Sequence, residues 1–156
     1  MNWQVKWSRF WETMSNPYWT VLFFKGLLNT VLIAVCGLLI GIVVGTLIAT
    51  VKVAPKYKRV VRVLDKICSV YVAIFRGTPM VVQLLIAYYV LLPAMGARGV
   101  EAINVGIVVF GLNSGAYVSE IMRGGINSVD RGQLDAGRAL GLTYGTSMMK
   151  IVIPQA

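Results

Sequence analysis

The sequence predicts an all-α integral membrane protein, with three transmembrane helices followed by a cytoplasmic helix-turn-helix. Three observations carry that prediction. Of the 156 residues, 57% are hydrophobic and only 13% are charged, about half the ~25% charged share of a soluble domain. Three apolar stretches have the length that a bilayer requires. The 15 Lys and Arg outnumber the 6 Asp and Glu and gather between and after those stretches, as in loops that face the cytoplasm. That placement accounts for the basic excess without nucleic acid as a partner. There is no histidine, and Cys36 and Cys68 stand 32 positions apart in apolar surroundings. Neither a metal site nor a disulfide framework is expected.

Residues 1–24 read as an N-terminal interfacial segment. Trp3, Trp7, Phe10, Trp11 and Met14 recur at helical spacing among Lys6, Arg9 and Glu12, the pattern of an amphipathic helix with tryptophan at headgroup depth. The transmembrane domain is expected to occupy 25–156. Its first span is the 26 uncharged residues from Gly26 to Val51, about 39 Å as a helix and long enough to cross a ~30 Å core with tilt. A signal peptide has a shorter apolar region placed earlier in the chain. Gly37, Gly41 and Gly45 form a ridge at four-residue spacing, which either lets another helix approach closely or is merely tolerated in lipid.

The loop from Lys52 to Lys66 carries six basic residues and one acid, Asp65. A second apolar run follows from Ile67 to Ala97, broken by Arg76. Within it Gly77-Thr78-Pro79 reads as a helix restart, with Thr78 as N-cap and Pro79 in the first helical position. Residues 67–76 are therefore expected to be an interfacial segment, and the second span to cover about 79–95. The third span is about 102–120, lying between Glu101 and Glu120. On one side of the membrane the 52–66 loop and the 123–156 tail hold ten Lys and Arg; Lys6, Arg9, Lys25 and Arg98 lie on the other. The imbalance puts the N-terminus outside and the tail in the cytoplasm.

Asn113, Tyr117 and Glu120 fall at i, i+4 and i+7 on the third span, one polar stripe on an apolar helix. Such groups face a bundle interior or a water-filled path. Glu120 either pairs with Arg76 at the ends of neighbouring spans or contacts a substrate directly, and Gln83 is a further candidate for the path. In the tail Gly141 is placed as a left-handed helix stop after Asp135–Leu140. Thr143 is placed to cap a second helix, Tyr144–Ile153, which Pro154 ends.

The tail's spacing resembles the EAA loop, E-A-A-x-x-x-G-x(9)-I-x-L-P, of the membrane subunits of bacterial ABC importers. Here it reads Asp135, Ala136, Gly137, Gly141, Ile151, Ile153 and Pro154, with Asp for Glu, Gly for the second Ala and Ile for Leu. Phe75-Arg76-Gly77-Thr78-Pro79 followed by Gln83-Leu84 is similar to a segment of the polar amino acid permeases, the histidine/glutamine/arginine uptake group. Gly115-Ala116-Tyr117, Glu120 and Arg123-Gly124-Gly125 are similar to a second segment, and Gly26-Leu27 with Asn29-Thr30 to that group's first span.

The resemblance implies the type I importer permease fold and a permease subunit of an ATP-driven amino acid uptake system in the bacterial inner membrane. A second permease copy or close relative, a cytoplasmic ABC ATPase and an extracytoplasmic amino-acid-binding protein are the implied partners. Asp135, Ala136, Gly137, Arg138, Gly141, Ile151 and Pro154 would couple to the ATPase; Arg138 meets acidic groups there or is simply solvated. With no nucleophile–base or phosphate-cradling constellation, the chain is not expected to be an enzyme or to hold a cofactor, and ATP would be used by the partner. Family members continue through two or more further spans after this loop, so a truncated gene or a fragment is expected. The alternative is a non-transporting remnant or small interaction protein that only docks an ATPase.

Overall fold

A computed structural model of the chain describes residues 2–156, and every regular element among them is helical. Helix α1, Trp3–Ser15, and helix α2, Pro17–Val53, meet at Asn16. Asn16 is extended and its side chain accepts from the Tyr18 amide at 3.0 Å, while Pro17 takes the first position of α2, so cap and proline together start the helix. The Thr20 hydroxyl donates to the Met14 carbonyl at 2.9 Å and closes the corner. Helix α2 thus begins nine residues ahead of the expected 26, and the expected border at 24/25 lies inside it. Its 37 residues reach about 56 Å.

Helix α3, Arg59–Gly77, is helical well before residue 67, where its interfacial stretch was expected to begin. Helix α4, Met80–Ile86, continues through a wide turn, Ala87–Leu91, into the short α5, Leu92–Ala94. The two halves, α3 and α4–α5, bend by 106° at Thr78-Pro79. Helix α6, Ala102–Ser128, runs eight residues past the expected end at 120. Helix α7, Arg131–Ala139, and helix α8, Tyr144–Ser147, follow. A wide turn, Met148–Val152, and a tight one, Ile153–Gln155, carry the helical path on, so Pro154 lies within the last turn rather than ending a helix before it.

The core is the crossing of α2 and α6. Gly37, Gly41, Gly45 and Ala49 form the whole buried face of α2. A Cβ on Gly37 would stand 3.1 Å from Phe110 Cβ, on Gly41 2.5 Å from Ser114 Cβ, and on Gly45 2.7 Å from Val118 Cβ. The contact is reciprocal, since Gly111 lies under Ile40 and Gly115 under Val44. Lipid offers no hydrophobic drive between apolar helices, and bare backbone lets them close to dispersion range. The ridge on α2 is therefore a packing surface, and the matching glycines of α6 are its other half.

The pairing order, Ile33 with Gly106, Gly37 with Phe110, Gly41 with Ser114 and Gly45 with Val118, makes α2 and α6 parallel. Two parallel helices that cross a membrane need a return crossing between them. Helices α2 and α6 are each long and apolar enough to span, and the bent α3–α4 pair is the one remaining candidate among the described residues. The expected three spans agree with that direction.

Candidate functional site

Two constellations sit on this frame. The first is the elbow between α3 and α4. A helix end leaves carbonyls without intrahelical donors, and inside a bilayer no water replaces them. The Gln83 amide meets this need by donating to the Phe75 carbonyl at 2.9 Å, the Thr78 carbonyl at 3.1 Å and the Thr78 hydroxyl at 2.8 Å. Asn113, buried in α6, donates to the same Phe75 carbonyl and to Gln83 Oε1, both at 3.1 Å. Thr78 therefore closes α3, with its hydroxyl donating to the Ile74 carbonyl at 2.8 Å, and does not cap α4. Pro79 stands just ahead of α4 rather than in its first turn. Tyr71 donates to the Leu112 carbonyl from one turn below.

A cleft of about 510 Å³ runs beside the elbow, between α4–α5 and the first half of α6. Gln83 and Thr78 reach it with Asn104, but Asn113, Tyr117 and Glu120 do not line it. Its wall is otherwise aliphatic and aromatic, with Val82, Ile86, Val105 and Val109 among the lining residues.

Below the elbow Glu120 gathers three cations from three helices. Lys52 of α2 is 2.6 Å away, Arg123 of α6 2.7 Å, and Arg76 of α3 3.9 Å. The Arg76–Glu120 pair expected from the sequence is thus the longest of three, because the Arg76 guanidinium stacks over the Tyr117 ring at 5.3 Å. Lys52 and Glu120 are largely sheltered, their side chains 13% and 16% exposed. Sequence reasoning missed Lys52 as a partner, since it reads as one more loop lysine. Arg123 had a local signal, its i,i+3 spacing from Glu120.

The second constellation is the tail. Asp130 caps α7 by accepting from the Gly132 amide at 2.7 Å. At the other end Leu142 N–H donates to the Gly137 carbonyl at 3.1 Å and Gly141 N–H to the Arg138 carbonyl at 2.9 Å, with Gly141 at φ +83°. This is the paired Schellman closure that a left-handed residue allows. Thr143 then caps α8, its hydroxyl accepting from the Thr146 amide at 3.3 Å.

The predicted coupling residues divide by face. Asp135, Ala136 and Arg138 are exposed, and the neighbouring Leu140 is 81% exposed. Gly137 is buried and faces Ile151 and Ser147; a Cβ there would stand 2.8 Å from both Ile151 Cδ1 and Ser147 Oγ. Gly141 is the stop, and Pro154 is exposed in the last turn. Tyr144, which no sequence signal marked, donates to the Val53 carbonyl at 2.9 Å and fastens α8 to the last residue of α2. Burial first, and Tyr57 second, push the Tyr144 hydroxyl above its ordinary pKa and keep it a donor. A cavity of about 620 Å³ remains between this unit and the ends of α2 and α6, with Asp130, Asp135 and Asn127 on its wall.

With that geometry in hand, the chain can be set beside known proteins. The sequence profile described as "Binding-protein-dependent transport system inner membrane component" matches residues 37–156. An arginine transport system permease protein of Bacillus subtilis (strain 168) is 39% identical over 132 residues, covering 85% of this chain and 58% of that relative. A glutamine transport system permease protein of Escherichia coli (strain K12) is 30% identical over 153 residues, covering 98% and 65%. A crystal structure of an amino acid ABC transporter with histidines superposes with a TM-score of 0.77 at 36% identity, covering 92% of this chain and 64% of that one. The chain spans less than two thirds of the length of the curated relatives it matches.

Proposed function

Because the chain belongs to the family of binding-protein-dependent transport system inner membrane components, we propose that it is a membrane-spanning permease subunit of an ATP-driven uptake system for polar amino acids. It contributes to the translocation path with a second permease subunit and receives substrate from an extracytoplasmic binding protein. It couples to a cytoplasmic ATPase, which binds and hydrolyses the ATP. The protein lies in the bacterial inner membrane with its N-terminus outside. Relatives whose names carry glutamine, arginine and L-cystine transport support a polar amino acid as the substrate class.

The observation that carries this reading is the build of α7. Its outer face offers small and mixed side chains, Asp135, Ala136 and the exposed Leu140, while its inner face is locked through Gly137 onto Ile151 and Ser147. A lever must be stiff and joined to what it moves. The two caps supply the stiffness, and the Tyr144–Val53 bond supplies a joint to α2. Asp135, Ala136 and Arg138 meet the ATPase in this reading, and Gly137, Gly141, Ile151 and Pro154 shape the element that presents them. In the path, Gln83 reaches the cleft wall and is the side chain placed to meet a substrate head group, while Asn113 braces it from behind, and Tyr117 and Glu120 lie one and two turns further along α6.

The test is reconstitution of the full chain into liposomes with its ATPase and binding protein, reading uptake of labelled amino acids. Uptake that needs ATP and every partner supports the permease reading, and Ala136→Arg should then abolish both uptake and ATPase retention. Retention of the ATPase without any uptake would make the chain an interaction protein that only docks, and the permease reading would fall.

A further inference from the structure

We propose that the first half of α3 is a binding surface for the phosphate groups of anionic lipids. The helix has three faces. Val72 is buried, and Val61, Asp65, Cys68 and Phe75 are half-buried on the same side, turned toward the rest of the protein. Beside that face lies an aliphatic stripe of Val60, Val63, Leu64, Ile67, Val70 and Ile74, each 43–67% exposed and covered by no other helix. The third face carries Arg59, Arg62 and Lys66, all exposed. At 100° per residue these three share an arc of about 60° next to the aliphatic stripe.

Charge leaves that basic face without an internal partner. Asp65, the one acid of the segment, is held by Lys56 at 2.6 Å. The remaining ion pairs among the described residues all centre on Glu120 and include none of Arg59, Arg62 or Lys66. The 106° bend at Thr78-Pro79 takes α3 off the line of the crossing helix α4. A helix in water would not expose six aliphatic side chains on one strip, and a helix across the hydrocarbon would not hold three unpaired cations. Both faces are satisfied at once at the membrane surface, with the aliphatic strip at the acyl boundary and the cations among anionic headgroups. The occupant is lipid rather than a protein partner, because the strip and the cations lie side by side in the order in which a leaflet stacks its chains and phosphates. Nothing in this inference rests on the transport reading.

The full chain in nanodiscs of phosphatidylcholine mixed with phosphatidylglycerol tests it, by mass spectrometry of the lipids retained through a detergent wash. The expected result is enrichment of phosphatidylglycerol over the starting mixture at low salt, lost at high salt. The triple variant Arg59→Gln, Arg62→Gln, Lys66→Gln should lower the enrichment about tenfold or more, and Arg59→Lys with Arg62→Lys should keep it. Removing three charges at the other end, with Lys6→Gln, Arg9→Gln and Lys25→Gln, should lower it by clearly less than the α3 variant does. No enrichment in the parent chain, equal loss in the control variant, or full retention in the α3 variant would each overturn the proposal. Competition by inorganic phosphate alone, with no preference between the two lipids, would assign the face to a free anion and overturn it as well.

Discussion

The molecule crosses helices on glycine twice, once between its two long apolar helices and once in the tail, and the two crossings are built differently. At the α2–α6 seam, glycines of both helices face the partner at four-residue spacing, and the Lys52–Glu120 ion pair joins the two helices only beyond the last of them. Where α7 meets the helical turns after Thr143, a single glycine, Gly137, admits Ile151 and Ser147, and the rest of the unit depends on hydrogen bonds. Asp130 and Thr143 cap its helices, Gly141 closes α7, and Tyr144 reaches the end of α2. The Ser147 hydroxyl is buried in this second crossing without a hydrogen-bond partner. In lipid the backbone satisfies itself within each helix, so closeness alone decides how two helices bind. In water helix ends compete with solvent, and caps decide whether four-residue helices exist at all.

Four substitutions would break or sharpen that contrast. The largest effect is expected from Gly41→Leu, because even a Cβ there lies 2.5 Å from Ser114 Cβ and 3.2 Å from the Gly115 backbone nitrogen. It should cost about 3 kcal/mol in denaturant unfolding of the detergent-solubilised chain. Gly26→Leu, with nothing within 4 Å of the added Cβ, should stay within about 0.5 kcal/mol. Equal effects at the two sites would mean that the seam does not hold the fold.

Glu120→Gln comes next, since it leaves Lys52 and Arg123 at 2.6 and 2.7 Å from a neutral amide. A loss of about 1–3 kcal/mol is expected, and most of it should vanish in a Lys52→Met background, as a double-mutant cycle would read. An undiminished loss in that background would show that Lys52 is not the partner that matters. In the tail, Gly137→Ala should cost about 1 kcal/mol by crowding Ile151 and Ser147, seen as faster amide exchange in α7. Adding Ser147→Gly should restore part of the protection, because it removes the clash with Ser147 and the unpartnered hydroxyl and leaves the contact with Ile151. Smallest is Tyr144→Phe, at about 0.5 kcal/mol. It should make the α7–α8 unit more sensitive to protease while leaving the three spans as resistant as before.

Much of this architecture was legible in the residues. The long apolar helices, the glycine ridge, the left-handed Gly141 and the Thr143 cap each depend on local chemistry or on a length that a bilayer sets. What stayed hidden depends on partners chosen in three dimensions. Thr78-Pro79 has the local form of a helix start, yet the orphan Phe75 carbonyl recruits Gln83 from eight residues on and Asn113 from another helix. The polar stripe on α6 was visible, but not that Asn113 would be engaged by the elbow while Glu120 drew Lys52 from α2. Asn16-Pro17 was an available signal for the start of α2, masked by the aromatic residues that recur on both sides of it.

The parallel course of α2 and α6 also sets a timetable. Gly37 and Gly111, like Gly41 and Gly115, are 74 residues apart, and an entire return crossing is made between them. At roughly 5–20 residues per second of synthesis, α2 spends about 4–15 s in the bilayer with its glycine face bare before its partner has been made. During that interval the face is open to any other small-residue helix nearby, so the fidelity of this fold depends on what else is being inserted at the same time.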